Sequence, residues 1–184
     1  LSQLKGKFIV SSIKSGMMII DQQRAHQRIL YEQFMKRLQN QKQASQQELF
    51  PQNVTFSSSD SEIIKELMPD LEILGFSINH LNKNTFIING TPVGLSTHSM
   101  QHLLEDFLET YKRNMIDLNL EQRANLARSM AVRMALKQGK NMQKEEMENL
   151  INELFSCHSP ELSPDGKKTL VILPIDQIDG MFNI

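Results

Sequence analysis

The fold is decided at one stretch, Ile19-Ile20-Asp21-Gln22-Gln23-Arg24-Ala25-His26-Gln27-Arg28-Ile29-Leu30-Tyr31-Glu32, where a strand pattern changes into a helix pattern. The apolar run Met17-Met18-Ile19-Ile20 ends at Asp21, and apolar or aromatic residues then recur at four-residue steps, as His26, Leu30, Phe34 and Leu38. The Asp21 carboxylate is placed to accept hydrogen bonds from the first free N–H groups of this helix. The stretch therefore predicts a buried strand that leads directly into a capped helix, from Gln22 to about residue 42.

The two acidic ends of this stretch lie too far apart to form a site by themselves. Asp21 and Glu32 are eleven residues apart, which is about 16 Å along an α-helix. Any site on this helix needs groups from other segments. Taken alone, the pattern indicates a half-buried helix with solvated charges.

Two more segments share the apolar character of residues 17–20. Residues 8–10 are joined to this run by a turn at residues 14–16, and residues 169–173 form a third apolar run. Because apolar residues follow each other without alternation, we predict strands that are covered on both faces. We place all three strands in one sheet, with the helix as one cover and a partner subunit as a candidate for the other.

The segments between these strands have patterns of their own. Residues 59–62 have the spacing of a capping box ahead of a helix that Pro69 closes. Residues 76–81 and 85–88 are typical of a hairpin, and Ser99 is placed to cap the helix that follows. Further on, apolar residues at helical spacing predict later helices; these residues are Leu126, Met130, Met134, Met147, Leu150, Ile151, Leu154 and Phe155.

These elements predict an α+β fold in two parts. The first is a discontinuous subdomain, residues 1–47 and 119–184, in which a mixed sheet packs with helices. The second is a small β-rich subdomain, residues 48–118, inserted between its halves. The polar run at residues 39–47 is predicted to be the linker between them.

Composition limits the class of protein. The 184 residues are enough to bury a core, and no apolar run approaches the length of about 20 residues that spans a membrane. Cys157 is the one cysteine, which excludes an internal disulfide and is typical of a reducing cytoplasm. A net charge of −1 does not indicate strong nucleic-acid binding. Since the sequence opens on Leu1, we expect a piece of a longer protein.

The organising stretch and its surroundings resemble the C-terminal dimerisation domain of the MutL family of DNA mismatch repair proteins. The family motif reads D-Q-H-A-x-x-E-x-x-x-x-E, commonly with E-R-I-x-Y-E inside, and the residues in register are Asp21, Gln22, Arg28, Ile29, Tyr31 and Glu32. The chain departs from the motif at Gln23, Arg24 and Gln27, where the family has His, Ala and Glu. The segment at residues 6–10 is also similar to the family.

The resemblance implies a role in assembly. Such a domain holds a homodimer together, so that N-terminal ATPase modules outside this chain can clamp around DNA and relay mismatch recognition to repair partners. ATP and Mg²⁺ are then expected only in those modules, and no cofactor is expected here. For an isologous twofold interface the candidates are Phe8, Val10, Ile20 and Val171. Mismatch-recognition protein and DNA are expected partners of the full-length protein.

The resemblance also bears on metal chemistry. Family members that nick DNA are metal-dependent endonucleases, whose site adds a later-helix cysteine and a C-P-H-G-R-P loop to the helix motif. Here that loop reads Ser163-Pro164-Asp165-Gly166-Lys167-Lys168, and Val132 stands where the cysteine is expected. Amide, hydroxyl and valine side chains are poor transition-metal ligands. We therefore expect no metal and no nicking, with Asp21, Gln22 and Glu32 as a remnant of the motif.

Two other classes of function stay open. One is a metal-dependent nicking endonuclease with an altered ligand set, drawn from Asp21, His26, Glu32 and Asp165. The other is an adaptor that is monomeric by itself and docks on a sliding clamp.

Gln46-Gln47-Glu48-Leu49-Phe50-Pro51 resembles the Q-x-x-[L/I]-x-P motif by which MutL proteins resemble other ligands of the replicative sliding clamp. In the predicted linker, Gln46 and Gln47 would orient an extended peptide, and Leu49, Phe50 and Pro51 would supply apolar anchors for a groove. The alternative is that Leu49 and Phe50 begin the core of the inserted subdomain. The sequence leaves both interpretations open.

A basic stripe is the last candidate surface. Arg133, Lys137, Lys140 and Lys144 are spaced as on one face of a helix. Such a stripe contacts DNA phosphates weakly, in a salt-dependent way. More often it is a solvated face, and we favour that interpretation.

Overall fold

The computed structural model describes residues 1–40, 45–92, 95, 99–118 and 121–182, with the backbone alone at 45–50 and 117–118. By their contacts these residues divide into two compact units. The terminal unit is Leu1–Glu32 with Met134–Ile184, and the middle unit is Gln33–Arg133. The limits of these units differ from those predicted for the subdomains, after residues 47 and 118.

Strands and helices are mixed along the described chain. In order, the elements are β1 (Ser2–Leu4), β2 (Phe8–Ile13), β3 (Gly16–Asp21), α1 (Gln22–Asn40), β4 (Ser45–Thr55), α2 (Ser58–Leu74), β5 (Ser77–Asn82), β6 (Thr85–Pro92), α3 (Met100–Leu118), α4 (Gln122–Met134), α5 (Lys144–Phe155), β7 (Leu170–Pro174) and α6 (Ile175–Met181). None of the described helices combines the length and hydropathy needed to cross a membrane.

The terminal unit contains a four-stranded sheet in the order β1-β2-β3-β7. The prediction that the first two apolar strands and the last one share a sheet is confirmed, and every pairing is antiparallel, in place of the mixed pairing expected. Gly16 makes the β2–β3 turn: its φ is +146°, and a Cβ there would lie 2.2 Å from the Leu173 carbonyl oxygen. No other residue type suits this turn.

One face of this sheet forms the core of the terminal unit. Ile9, Met18 and Ile20 are buried there against the start of α1 and against α5, with Ala25, Ile29, Met147, Leu150 and Leu154. Ile20 has no exposed surface. Its prediction as an interface residue is therefore wrong, because the pleat points Ile20 to the core face. Phe155, the last residue of the apolar pattern in α5, is 51% exposed.

The outer face of the sheet carries a second apolar row. Val10 pairs with Ile19, and Ile19 pairs with Val171, so their side chains lie on one face. The prediction that the strands are covered on both faces is wrong for β7, where Val171 is 44% and Ile172 51% exposed. Within the described chain, β7 is an edge strand of this sheet, and Leu170 is its residue that packs against the core.

The middle unit has a three-stranded antiparallel sheet in the order β4-β6-β5, with the hairpin β5–β6 as predicted. The prediction that Pro69 closes a helix is wrong: α2 continues through Pro69 to Gly75, whose φ of +106° ends it. Because Pro69 has no N–H, the helix loses one backbone hydrogen bond there. Burial of its apolar face outweighs this loss; that face carries Ile64, Leu67, Leu71 and Leu74.

The caps of the middle-unit helices follow local hydrogen bonding. Ser57, two residues before the predicted capping box, accepts from the Asp60 N–H at 3.1 Å. The predicted cap Ser99 is confirmed, since its Oγ accepts from the His102 N–H at 3.3 Å. Residues 41–44 of the predicted linker lie outside the described chain, and the rest is not a linker, because β4 begins at Ser45 and pairs with β6.

Candidate functional site

Asp21 is the N-cap of α1, as predicted. Its Oδ1 accepts from the Gln23 and Arg24 N–H groups, both at 3.1 Å. Its Oδ2 lies 3.5 Å from Nε of Arg24, and the residue is buried. Both carboxylate oxygens are thus committed to the start of the helix.

Gln22 is fully buried and holds three segments of the terminal unit together. Its Nε2 donates to the carbonyl oxygens of Gly6 at 2.6 Å and Lys140 at 3.1 Å. Its Oε1 accepts from Nε2 of Gln3 at 2.6 Å, and Gln3 in turn accepts from the Met142 N–H at 3.2 Å. This amide role is structural, and it depends on segments that are remote in the sequence.

Glu32 binds backbone, too. Its Oε2 accepts from the His158 N–H at 2.7 Å and its Oε1 from the Ser159 N–H at 3.2 Å. Arg28 completes the arrangement, with Nη1 3.5 Å from Oε1 of Glu32. The carboxylate therefore fixes the chain as it leaves α5.

The loop that resembles C-P-H-G-R-P is closed by its own hydrogen bonds. Ser163 is buried, and its Oγ accepts from the Lys167 N–H at 3.2 Å. Arg28 donates to the Ser163 carbonyl oxygen at 3.0 Å. Asp165, at the tip, is exposed. The residues at the cysteine and histidine positions of the motif therefore do not converge on one point.

His26 and Cys157 are the other groups with ligand chemistry here. His26 Nδ1 accepts from the Leu136 N–H at 3.0 Å. Burial, and to a lesser extent the charge of Lys140, lowers the pKa of His26 to about 4. Burial, with the Glu32 charge second, raises the pKa of Cys157 to about 11, so this thiol is not a nucleophile at neutral pH.

These residues do not fit a transition-metal centre. Among the described residues, no three His, Cys, Asp or Glu side chains are grouped so that they could share an ion. Asp21, His26 and Glu32 each use their polar atoms on backbone N–H groups of the terminal unit. A metal would have to displace these bonds, which stabilise the fold.

The clamp-like motif lies in β4 and not in a linker, which corrects the prediction of its setting. Gln46 pairs with Thr91 and Gln47 with Gly90, and the register then shifts before Gln52. Pro51 is exposed, whereas the side chains of Leu49 and Phe50 lie outside what the structure describes. Clamp docking stays a prediction.

The basic stripe does not follow one helix, so that part of the prediction is wrong. α4 ends at Met134 and α5 begins at Lys144, which leaves Lys137 and Lys140 between helices. Arg133 bonds Oγ1 of Thr110 at 2.7 Å and lies 3.6 Å from Asp106. Lys140 and Lys144 lie 3.5 and 3.8 Å from Glu146 and Glu148. Contact of any of them with DNA stays a prediction.

The terminal unit exposes a concentration of large apolar residues at its last strand and helix. We call it the β7–α6 patch: Val171 (44% exposed), Ile172 (51%), Ile175 (48%), Met181 (64%) and Phe182 (72%). Of the predicted interface residues, Val171 belongs to this patch, whereas Phe8 and Val10 are half-buried on the outer sheet face. The sequence prediction missed the rest, because α6 is short and carries two aspartates among its apolar residues.

Comparison with known proteins agrees with this arrangement. The family model described as "MutL C terminal dimerisation domain" matches residues 1–142. The chain is 40% identical over 182 residues to a DNA mismatch repair protein MutL of Flavobacterium psychrophilum, covering 99% of this chain and 30% of that protein. It is 39% and 38% identical over 180 residues to MutL of Flavobacterium johnsoniae and Chlorobium chlorochromatii, covering 98% of this chain and 28% of each protein. The chain belongs to the MutL C-terminal dimerisation domain family of DNA mismatch repair proteins.

Proposed function

We propose that this chain joins two copies of a mismatch repair protein into a homodimer and does not nick DNA itself. The observation that carries the proposal is the β7–α6 patch on the terminal unit. Five large apolar side chains between residues 171 and 182 are each at least 44% exposed. Apolar surface of this kind is stabilised by burial against a partner, at about 25 cal/mol per Å².

The chemistry of the remnant motif supports the second half of the proposal. Asp21, Gln22 and Glu32 have positions in the fold that need an acceptor or an amide whether or not a metal is present. These structural roles need no metal. The other positions of the motif carry Gln23, Gln27 and Ser163, whose side chains are poor metal ligands. The alternative, a nicking endonuclease with an altered ligand set, needs His26 and Glu32 to leave their backbone partners.

Further partners belong to the longer proteins that this chain resembles in part. We propose that the dimer brings together two N-terminal ATPase modules, which bind ATP and Mg²⁺ and close on DNA after a mismatch-recognition protein has acted. A cytoplasmic setting agrees with the single cysteine. Docking on the sliding clamp through Gln46–Pro51 is a further proposal. It fails if Leu49→Ala with Phe50→Ala leaves clamp binding unchanged.

Mass and nicking, measured on one preparation, test the proposal. Light scattering should give twice the chain mass, and Met181→Asp with Phe182→Asp should shift the protein toward monomer. Leu81→Asp in the middle unit is the matched control, since Leu81 is 59% exposed and lies outside the patch. A monomer at high concentration would refute the assembly role. Manganese-dependent nicking of supercoiled plasmid that Asp165→Ala or Glu32→Gln abolishes would refute the non-nicking role.

A further inference from the structure

We propose that a pocket at the start of α1 binds a phosphate group, which the DNA backbone supplies. The pocket lies in the terminal unit and has a volume of about 150 Å³. Its charged lining residues are Lys7, Asp21, Arg24 and Lys168. Three positive charges and one negative charge leave an excess of positive charge in the pocket. This inference goes beyond the proposed homodimer, because it names a ligand that one copy of the chain binds.

Backbone hydrogen bonds bring the three cationic residues together from three segments. The Lys7 carbonyl oxygen accepts from the Gln22 N–H at 3.1 Å, and the Thr169 carbonyl oxygen accepts from the Asp21 N–H at 2.8 Å. The β1–β2 turn and the loop before β7 are thus both fixed to the start of α1. Arg24, on the first turn of α1, donates from Nη1 to the Lys168 carbonyl oxygen at 3.0 Å. The fold itself therefore holds the cations around one pocket.

The single carboxylate does not neutralise these cations. Asp21 Oδ1 accepts from two N–H groups of α1, and its Oδ2 lies 3.5 Å from Nε of Arg24. Lys7 and Lys168 take no part in the ion pairs found among the described residues of this unit. Because Asp21 already satisfies the start of the helix, the side-chain cations and not the helix N–H groups are the donors available to a ligand.

These donors are suited to phosphate oxygens. A guanidinium offers a planar fork of N–H groups, and a lysine adds a compact positive charge. Nζ of Lys7 lies 4.9 Å from the centroid of the Phe8 ring, and the residue is half-buried, which restricts the positions of its ammonium group. The rest of the lining is apolar apart from Thr169. Charges act more strongly beside such a lining than on an open surface.

The size of the pocket limits the ligand. A volume of about 150 Å³ corresponds to about five water molecules at about 30 Å³ each. A phosphate group, which is one phosphorus atom with its oxygens, is of that size, whereas a base with its sugar is larger. The pocket therefore suits a phosphate without its base. Contacts of this kind position DNA and do not distinguish between sequences.

Two of the cations stand where this chain departs from the family motif. Arg24 occupies the position of an alanine, and Lys168 occupies the position of the last proline in C-P-H-G-R-P. The positive charge of the pocket thus comes largely from residues that the motif does not contain. A phosphate can be held by these side chains without a metal, which agrees with the poor metal ligands at Gln23 and Ser163.

DNA binding at several salt concentrations tests the proposal. Fluorescence anisotropy of a short labelled duplex gives the affinity of the chain and of the double variant Lys7→Gln with Lys168→Gln. We expect the variant to bind about tenfold more weakly at low salt. The slope of log affinity against log salt should become shallower by about 0.9 for each lost contact. Duplexes of unrelated sequence should show the same change, because only the backbone is bound.

The matched control is Lys5→Gln with Lys167→Gln. It removes the same charge from the same two segments, but both lysines are exposed and lie outside the lining of the pocket. We expect the control to lose less than half as much affinity, on a logarithmic scale, as the pocket variant. Equal losses in the two folded variants, as checked by circular dichroism, would mean that diffuse charge and not the pocket binds DNA, and the proposal would be overturned.

Thermal unfolding in inorganic phosphate distinguishes the sources of the phosphate group. Compared with chloride at equal ionic strength, phosphate should raise the unfolding midpoint of the unchanged chain and of the control, by mass action, and not that of the pocket variant. If this difference appears while DNA binding is the same in both variants, the pocket takes free phosphate and the DNA backbone is excluded as the source. If neither measurement separates the two variants, the pocket binds no phosphate group.

These outcomes are independent of the proposed function. Light scattering of both double variants should give the same mass as the unchanged chain, because the four lysines are not part of the β7–α6 patch. A pocket that binds no phosphate leaves the homodimer standing. A chain that is monomeric by mass, yet loses DNA affinity in the pocket variant alone, overturns the homodimer and keeps the phosphate site.

Discussion

The amide of Gln22 shows what a single buried side chain does in the terminal unit. It joins the β1–β2 turn, the segment before α5 and the start of α1, because its Nε2 donates to the carbonyl oxygens of Gly6 and Lys140. Close packing accompanies these bonds, since the Gly139 N–H donates to the Gly6 carbonyl at 2.9 Å and a Cβ on Gly6 would lie 2.9 Å from Gly139. These contacts give the glutamine a structural role that needs no metal.

Replacing the amide with an isosteric apolar group should therefore be costly. We expect Gln22→Leu to lower the free energy of unfolding by roughly 1–3 kcal/mol, because three hydrogen bonds of a buried amide are lost. The Gly6 and Lys140 carbonyls and the Gln3 amide each keep one other hydrogen bond, which limits the loss. Urea unfolding measures this loss. Gln23→Leu is the control, since the structure assigns Gln23 a hydrogen bond through its backbone N–H. Equal stability of the two variants would contradict the structural role of Gln22.

His26 makes the stability of the fold depend on pH. Burial, followed by the Lys140 charge, holds its pKa at about 4, against an ordinary value of 6.5. The unfolded chain therefore takes up a proton near pH 6.5 that the folded chain refuses until about pH 4. This contribution is fully present above pH 6.5 and is lost as the pH falls toward 4, by up to about 3 kcal/mol.

Unfolding by urea at several pH values checks this expectation. The free energy of unfolding should decrease between pH 6.5 and pH 4, and in His26→Asn this part of the decrease should be smaller. An unchanged pH profile in the variant would show that His26 does not cause the dependence. The matched control is His102→Asn, which removes a histidine of the middle unit whose side chain is 83% exposed.

At the scale of elements, local patterns predicted what local chemistry decides. The cap at Asp21, the hairpin β5–β6 and the cap at Ser99 depend on neighbours within a few residues, and all three are present. The break between α4 and α5 was missed. The segment between these helices makes contacts far along the chain, since the N–H of Gly139, whose φ is +88°, binds the Gly6 carbonyl. Sequence periodicity does not contain such a tertiary contact.

At the candidate site, too, the sequence predicts the residue types and does not predict their contacts. Ligand types at Gln23, Val132 and Ser163 could be read from the sequence, and so could the motif remnants. Their actual partners could not, because Glu32 binds the N–H groups of His158 and Ser159, which are 126 and 127 residues away. The exposure of β7 was also not predictable, because the sequence pattern of an apolar strand is the same whether the strand is covered or exposed.

Substitutions at Ser57 and Ser59 test which of these two serines is the N-cap of helix α2. Ser57 Oγ accepts from the Asp60 N–H at 3.1 Å, whereas the sequence pattern favours Ser59. We expect Ser57→Ala to cost about 1 kcal/mol of unfolding free energy and Ser59→Ala less than half of that. Thermal or urea unfolding of the two variants decides between them. A larger loss in Ser59→Ala would place the start of the helix at the capping box.

At the scale of the whole molecule, the acidic remnants and the bare strand have a common explanation. A domain whose task is to hold two copies together needs a rigid sheet and an apolar edge, and it needs Asp21 and Glu32 only as backbone acceptors. Under the proposed assembly role, Gln27 and Ser163 need no metal chemistry.

Assembly through the β7–α6 patch should be visible as a concentration-dependent melting temperature. Since only the folded dimer gains from association, mass action raises the midpoint of thermal unfolding as the protein concentration rises. We expect this dependence over a hundredfold range of concentration in the unchanged protein and in Leu81→Asp. In Ile175→Asp with Phe182→Asp it should vanish, because both side chains are about half exposed or more and become charged at the contact. A midpoint that is independent of concentration in every variant would mean that the patch has another partner, whereas persistence in the double variant would place the dimer contact on a different surface of this domain.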